Sequence, residues 1–209
     1  MGLLNLLMKD PVAFLLIAIP LLYAVIFHEL AHGWVAYRFG DSTAKSLGRL
    51  SLNPLKHLDP MGTLMLFIFG FGWAKPVPVN FSHLRDRRMG MIWVSAAGII
   101  ANTLLAFMAM FLTRLLSPAP GSMPAVLLYY FAQINIILAA FNLIPLPPLD
   151  GSKILMGFAP PQIQNLLLRF ERYGFFIIIA LLYFGVLNPV IVFFRWMILS
   201  VINLMLGTQ

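Results

Sequence analysis

His28-Glu29-Leu30-Ala31-His32 is the run in this chain whose residue types and spacing could do chemistry. On a helix, positions four apart share a face, so the two imidazoles can converge on one metal ion. Glu29, beside the first of them, is placed to move a proton on water held by that ion. That is the chemistry of zinc-assisted hydrolysis. The run lies inside Val12 to Phe39, which otherwise reads as a membrane-crossing helix. Ionisable groups at that depth are costly and mark functional sites by default. The competing reading makes His28 and His32 core histidines bonded to neighbouring helices, with Glu29 paired to one of them. It leaves a glutamate in hydrocarbon with little to offset its burial, and is the weaker of the two.

Catalytic zinc takes three protein ligands and leaves a fourth position to water. The candidates for the third are His57, His83, Asp59 and Asp150, since Asp41 lies in a loop and Asp86 in an arginine run. Asp150 is favoured. It follows Pro145, Pro147 and Pro148, and non-helical backbone at membrane depth survives only where protein or a wet cavity receives it. A dication, one aspartate ligand and Glu29 also sum to zero charge. The alternative is a plain Leu-Asp-Gly turn at the membrane surface. His83 reads as a surface-loop histidine. Asn102 and Asn142 lie in apolar stretches, where each could donate to a peptide carbonyl or hold a substrate backbone. Hydrogen bonding between helices explains them equally well.

The elements that must position these residues are membrane helices. Hydrophobic residues make up 61% of the 209, charged residues 10%, and the mean hydropathy is +0.90. A soluble domain carries about 25% charged residues. The expected fold is an all-α polytopic membrane protein with about five transmembrane helices, in one domain over 1–209. Its core covers about 11–158 and its C-terminal helices about 160–207. The spans are read at about 11–39, 89–112, 124–144, 173–187 and 189–206, with an amphipathic interfacial helix over 161–172. Pro20 is a possible kink. Met61 to Trp73 is short for a span and reads as re-entrant or interfacial. Lys75 to Asn80 is extended, a β-like element on the cytoplasmic side, and Pro76 and Pro78 leave it one edge to pair, for instance with Ala44 to Leu52. Small residues around Gly98 read as close helix packing. No cleavable signal peptide is expected. Cysteine is absent, which excludes a thiolate metal site.

The net charge of +7 is spread over short loops, which suits anionic lipid head groups. No motif supports nucleic-acid binding. Most basic residues, from Arg38 to Lys75, Arg85 to Arg88, and Lys153 to Arg172, fall on one side, with Lys9 and Arg114 opposite. The crowded side is expected to be cytoplasmic and the N-terminus extracytoplasmic. Arg195 falls inside the last span and is expected to snorkel or pair. The metal then sits within the bilayer of the cell membrane, about 16 Å from the cytoplasmic end of its helix.

The HELAH run, Ser95-Ala-Ala-Gly-Ile-Ile-Ala-Asn102, and Asn142-Leu-Ile-Pro-Leu-Pro-Pro-Leu-Asp150-Gly151 together resemble the site-2 protease family of intramembrane zinc metalloproteases. Gly48 to Pro60 is similar to the stretch after the HExxH helix in compact prokaryotic members. The resemblance covers about residues 15 to 155 and shows no PDZ or CBS domain of the kind many relatives carry. It implies His28, His32 and Asp150 as zinc ligands and Glu29 as catalytic base. It also implies Asn102 and Asn142 near the substrate, and a recurrent histidine at His57.

The expected function is endopeptidase cleavage of a single-pass transmembrane substrate in regulated intramembrane proteolysis, with one Zn2+ per chain and the lipid bilayer as solvent. Two alternatives stand beside it: a membrane zinc protease acting on lipidated protein tails, and a non-catalytic zinc-binding scaffold or transporter.

Overall fold

A computed structural model describes residues 3–70 and 72–207. Among them are nine α-helices and no strand. In chain order they are α1 (Leu3–Lys9), α2 (Pro11–Arg38), α3 (Thr43–Ser46), α4 (Pro60–Phe69), α5 (Arg87–Leu116), α6 (Met123–Asn142), α7 (Asp150–Phe158), α8 (Pro161–Tyr183) and α9 (Asn188–Leu206).

Acidic side chains outside the helices start several of them. Asp10, Asp59 and Asp86 are N-caps of α2, α4 and α5, accepting from the backbone N–H groups of Ala13, Gly62, and Arg88 with Met89. Each satisfies donors that the first helical turn cannot. Prolines at the first helical positions of α2 and α4 support the same starts. Helix α2 continues through Pro20 without a break in assignment.

Helix α5 is the centre of the molecule and packs on α2, α6 and α7, while α6 also packs on α2 and α9. Ile99, Ala106, Ile136, Ala139, Ala140, Ile198 and Ile202 form the main apolar cluster among α5, α6 and α9. Outside it the surface is apolar: Leu204 is 81% exposed and Phe176 70%. Side chains of this kind on the outside, with the polar groups within, suit a hydrocarbon solvent.

Among the described residues four helices are long and apolar enough to cross a membrane: α2, α5, α6 and α9. The two elements expected over 161–172 and 173–187 are instead one continuous helix, α8. It carries Arg169, Glu171 and Arg172 in its middle, which keeps it out of that set. At the far end of the bundle Arg114 donates to the Leu206 carbonyl at 2.9 Å, so α5 and α9 finish side by side. Arg195 pairs, with Gln133 Oε1 at 2.7 Å.

Residues 58–70 and 72–74 form the two arms of a hairpin. Leu58 and Ala74 form an isolated antiparallel bridge, so the chain leaves along α4 and returns to its starting point. Gly62 and Gly72 permit the two arms to touch. A Cβ on Gly62 would lie 2.1 Å from the Trp73 carbonyl oxygen, and one on Gly72 2.1 Å from that of Gly62. Residues 75–80 are extended but unpaired as a strand. The pairing expected with Ala44 to Leu52 is replaced by other contacts. Ala44 lies in α3, and the link from this region is the Arg49 guanidinium, donating to the Lys75 and Pro76 carbonyls at 2.8 and 3.1 Å. Lys75 N–H pairs with the His57 carbonyl at 2.8 Å instead. Prolines at 76 and 78 deny a ladder its donors, so side chains hold this segment.

Candidate active site

Helix α2 presents His28 and His32 one turn apart towards α5 and the start of α7. Asp150 is the first residue of α7, which begins where the proline-rich break after α6 ends. Its carboxylate Oδ2 lies 3.1 Å from Nε2 of His28 and 3.1 Å from Nε2 of His32, and the two Nε2 atoms are 2.9 Å apart. All three residues are buried.

The outer ring nitrogens decide what these atoms are. His32 Nδ1 lies 2.6 Å from the Val94 carbonyl, which only accepts, so Nδ1 carries the hydrogen. His28 Nδ1 lies 2.6 Å from Asn102 Oδ1. The Asn102 amide nitrogen is occupied in donating to the Ala24 carbonyl at 3.1 Å and to Asn135 Oδ1 at 2.7 Å, which fixes its oxygen towards His28. Asn135 in turn donates to the Phe131 carbonyl at 2.8 Å. Both neutral imidazoles therefore turn lone pairs inward, and the third neighbour is a carboxylate oxygen. Three acceptors face one another without a donor, and Asp150 Oδ2 has no hydrogen-bond partner among the described residues. A cation relieves this arrangement. Zinc ligand atoms at ~2.0–2.1 Å in tetrahedral geometry stand about 3.3 Å apart, close to the spacing here. The three residues can hold one metal ion.

Gly98 on α5 makes room for the rings. A Cβ there would lie 2.5 Å from His28 Cε1 and 2.6 Å from His32 Nε2. The small-residue stretch read as general helix packing has this particular task.

Glu29 has a partner of its own. Its Oε2 accepts from Val77 N–H at 2.7 Å, which ties the carboxylate to the extended segment. That segment is fixed at its other end by Asp41, fully buried, whose Oδ2 accepts from Asn80 N–H at 2.7 Å. Asp41 Oδ1 also accepts from the Thr43 backbone and hydroxyl and faces His83 Nδ1 at 3.4 Å. Burial pushes the Asp41 carboxyl up, but the hydrogen bonds from Thr43, Asn80 and His83 outweigh it, and the net shift is below the ordinary carboxylate value.

The other candidates for the third ligand have separate partners. Asp59 caps α4, His83 faces Asp41, and His57 lies 2.7 Å from the Ser51 carbonyl through Nε2. Asn102 is committed on every side to His28, Ala24 and Asn135, so it orients a ring and has no amide hydrogen left for a substrate. Asn142 donates to the Leu138 carbonyl of its own helix at 3.0 Å. Asn135 was not singled out by the sequence reading. Its signal, an amide in a largely apolar stretch, is one that Asn102 and Asn142 also carry, and only the structure shows Asn135 to be fully buried.

Comparison with known proteins agrees with this geometry. The family model described as peptidase family M50 matches residues 117–185, a stretch that includes Asp150. YwhC of Bacillus subtilis (strain 168), whose name marks it as a candidate zinc metalloprotease, is 44% identical over 172 residues, 79% of this chain and 78% of that protein. Rip2 of Mycolicibacterium smegmatis, similarly named, is 31% identical over 180 residues, 84% of this chain and 69% of the relative. Zinc metalloprotease MJ0392 of Methanocaldococcus jannaschii is 25% identical over 148 residues, 71% of this chain but 35% of its own. No solved structure matches the chain. With its two histidines and distant aspartate gathered at one point among apolar helices, the chain belongs to peptidase family M50, the site-2 proteases, and is a membrane zinc metalloprotease.

Proposed function

We propose that this protein cleaves peptide bonds within or beside the transmembrane segment of a single-pass membrane protein, as a step in regulated intramembrane proteolysis. The observation that carries the proposal is the inward-facing set of two imidazole lone pairs and one carboxylate oxygen, 2.9–3.1 Å apart, in the middle of apolar helices.

His28, His32 and Asp150 would hold the zinc, one ion per chain. When bound, zinc would lower the pKa of water towards 7 and polarise a carbonyl. Glu29 would take a proton from water at the site and deliver it to the leaving amine. Val77 N–H steadies one oxygen of Glu29 and leaves the other free for this exchange. Among the described residues the Val77 and Pro78 carbonyls and the Val79 N–H have no hydrogen-bond partner. A helical substrate hides its backbone groups, so it must unwind locally, and these three positions offer its extended chain an edge. Asn142 is the remaining candidate for contact with the substrate backbone.

The basic residues give the orientation. Four crossings by α2, α5, α6 and α9, with α8 along the interface, put Arg38, Arg87 and Arg88 on the cytoplasmic side and Arg114 opposite. The shared end of α5 and α9 at Arg114 supports that count over five. The N-terminus is then extracytoplasmic. His28 lies roughly 15 Å from the cytoplasmic end of α2, so the site is inside the bilayer of the cell membrane, nearer the cytoplasm. The two arms of the hairpin enter and leave from that same side.

The test is cleavage of single-pass substrates by the reconstituted protein. Glu29→Gln should lower the rate by about 10²- to 10⁴-fold, the usual contribution of a general base, while zinc content stays at one per chain. Equal cleavage by both proteins would sink the proposal.

A further inference from the structure

A cavity of about 360 Å³ opens between the first half of α2, α4 and the return arm of the hairpin at 72–74. Leu22, Val25, Ile26, Leu66 and Trp73 are among its apolar walls, and its polar lining residues are Thr63 and His57. His57 is fully buried. Because the Ser51 carbonyl beside its Nε2 only accepts, Nε2 carries the hydrogen and Nδ1 presents a lone pair. That Nδ1 has no partner among the described residues. A buried acceptor left this way is costly, and a bound donor would relieve it.

Two relations join the cavity to the reaction centre. Leu22, Val25 and Ile26 precede Glu29 by seven, four and three positions and so lie on its face of α2. The His57 backbone carbonyl accepts from Lys75 N–H, at the head of the segment whose Val77 N–H holds Glu29. We propose that the cavity is a side-chain subsite for the substrate. It selects a large apolar residue ending in one hydrogen-bond donor, tyrosine or tryptophan, received by His57 Nδ1. The inference rests on the intramembrane peptidase reading above.

The chemistry narrows the occupant. Tyrosine and tryptophan bury a ring and carry one donor that needs a partner. Phenylalanine or leucine would fill the space and leave Nδ1 unpaired, the kind of loss by which polar sites reject apolar analogues. A charged side chain would meet apolar walls. Along α2 the cavity lies ~5–10 Å from Glu29. An extended substrate covers that distance in about one to three residues.

The experiment places tyrosine, tryptophan, phenylalanine or leucine in turn at each of the three residues on either side of the cut in a single-pass substrate, with the full chain reconstituted. At one position tyrosine or tryptophan should exceed phenylalanine at least tenfold in kcat/KM. Ala18→Phe, which fills the cavity from α2, and His57→Phe, which removes the acceptor, should each reduce that preference to under twofold with zinc retained. Equal rates for tyrosine and phenylalanine everywhere, or a preference that survives Ala18→Phe, overturn the subsite. A second readout separates it from the peptidase reading. The zinc-loaded Glu29→Gln protein is exposed to the same substrates, each carrying a photo-crosslinker one residue from the tested position. Equal capture of the tyrosine and phenylalanine forms rejects the subsite. Tyrosine-selective capture with no cleavage by the parent supports the subsite and rejects the peptidase reading.

Discussion

The metal corner and the extended segment beside it are built in opposite ways. At the corner, long helices set the positions, and each imidazole is fixed by a buried hydrogen bond from its outer nitrogen, to Asn102 in one case and to the Val94 carbonyl in the other. The segment 75–80 has no helix and no ladder. Side chains arriving from elsewhere hold it: Arg49 on its carbonyls, Glu29 on Val77 N–H and Asp41 on Asn80 N–H. Ligands that share one ion tolerate little movement, so a packed bundle suits them. Among the described residues, 77–79 keep backbone groups unpaired, the edge on which the proposed substrate strand would lie. Glu29 belongs to both regions.

If the corner works as a unit, Asp150→Ala should have the largest effect, leaving neither stoichiometric zinc nor activity. Metal analysis against Glu29→Gln, which keeps zinc, separates the two regions. A variant that binds zinc normally without the Asp150 carboxylate would break the distinction.

Gly98→Ala comes next. Its Cβ would fall 2.5 Å from His28 Cε1, so the rings must move, and zinc affinity measured by chelator competition should drop more than for any change in the shell behind them. Asn135→Leu tests that shell. It removes one of the acceptors that fix Asn102, and partners of this kind are typically worth about 10- to 100-fold in metal affinity. Unchanged affinity would show that His28 orients itself without them.

The smallest effect belongs to the segment. The Asp41 carboxyl is held below its ordinary value, so its stabilising bonds are fully present above the unfolded pKa of ~3.9 and are lost as pH falls through the lower folded value. The protection of the Asn80 amide hydrogen, its exchange relative to an unstructured amide at the same pH, should therefore fall at acid pH in the parent. Asp41→Asn should exchange faster at neutral pH as well, with zinc content untouched. A loss of zinc in that variant would show that the two regions are coupled.

Much of this was legible from residues alone. Histidines four apart with a glutamate between them fix their own geometry on any helix, and the apolar length around them fixes the solvent. The caps at Asp10, Asp59 and Asp86 follow from local backbone chemistry in the same way. Other features were not legible because they depend on distant segments. Among the four candidates for the third ligand the proline break and charge balance favoured Asp150, and packing adds that Asp59 caps a helix while Asp150 reaches the imidazoles. Asn102 reads equally as a substrate contact or a helix link until Ala24 and Asn135 are found on its amide. The break expected near residue 172 rests on charge, whereas α8 runs through it, Gly174 included, since no proline intervenes and one interior glycine costs only about 1 kcal/mol. Short-range spacing thus determined the reactive pair and the membrane setting. The tertiary structure decided how closely Asp150 meets the imidazoles and which amides aim them, since those contacts join residues 74 to 122 positions apart (His28 to Asn102 and to Asp150).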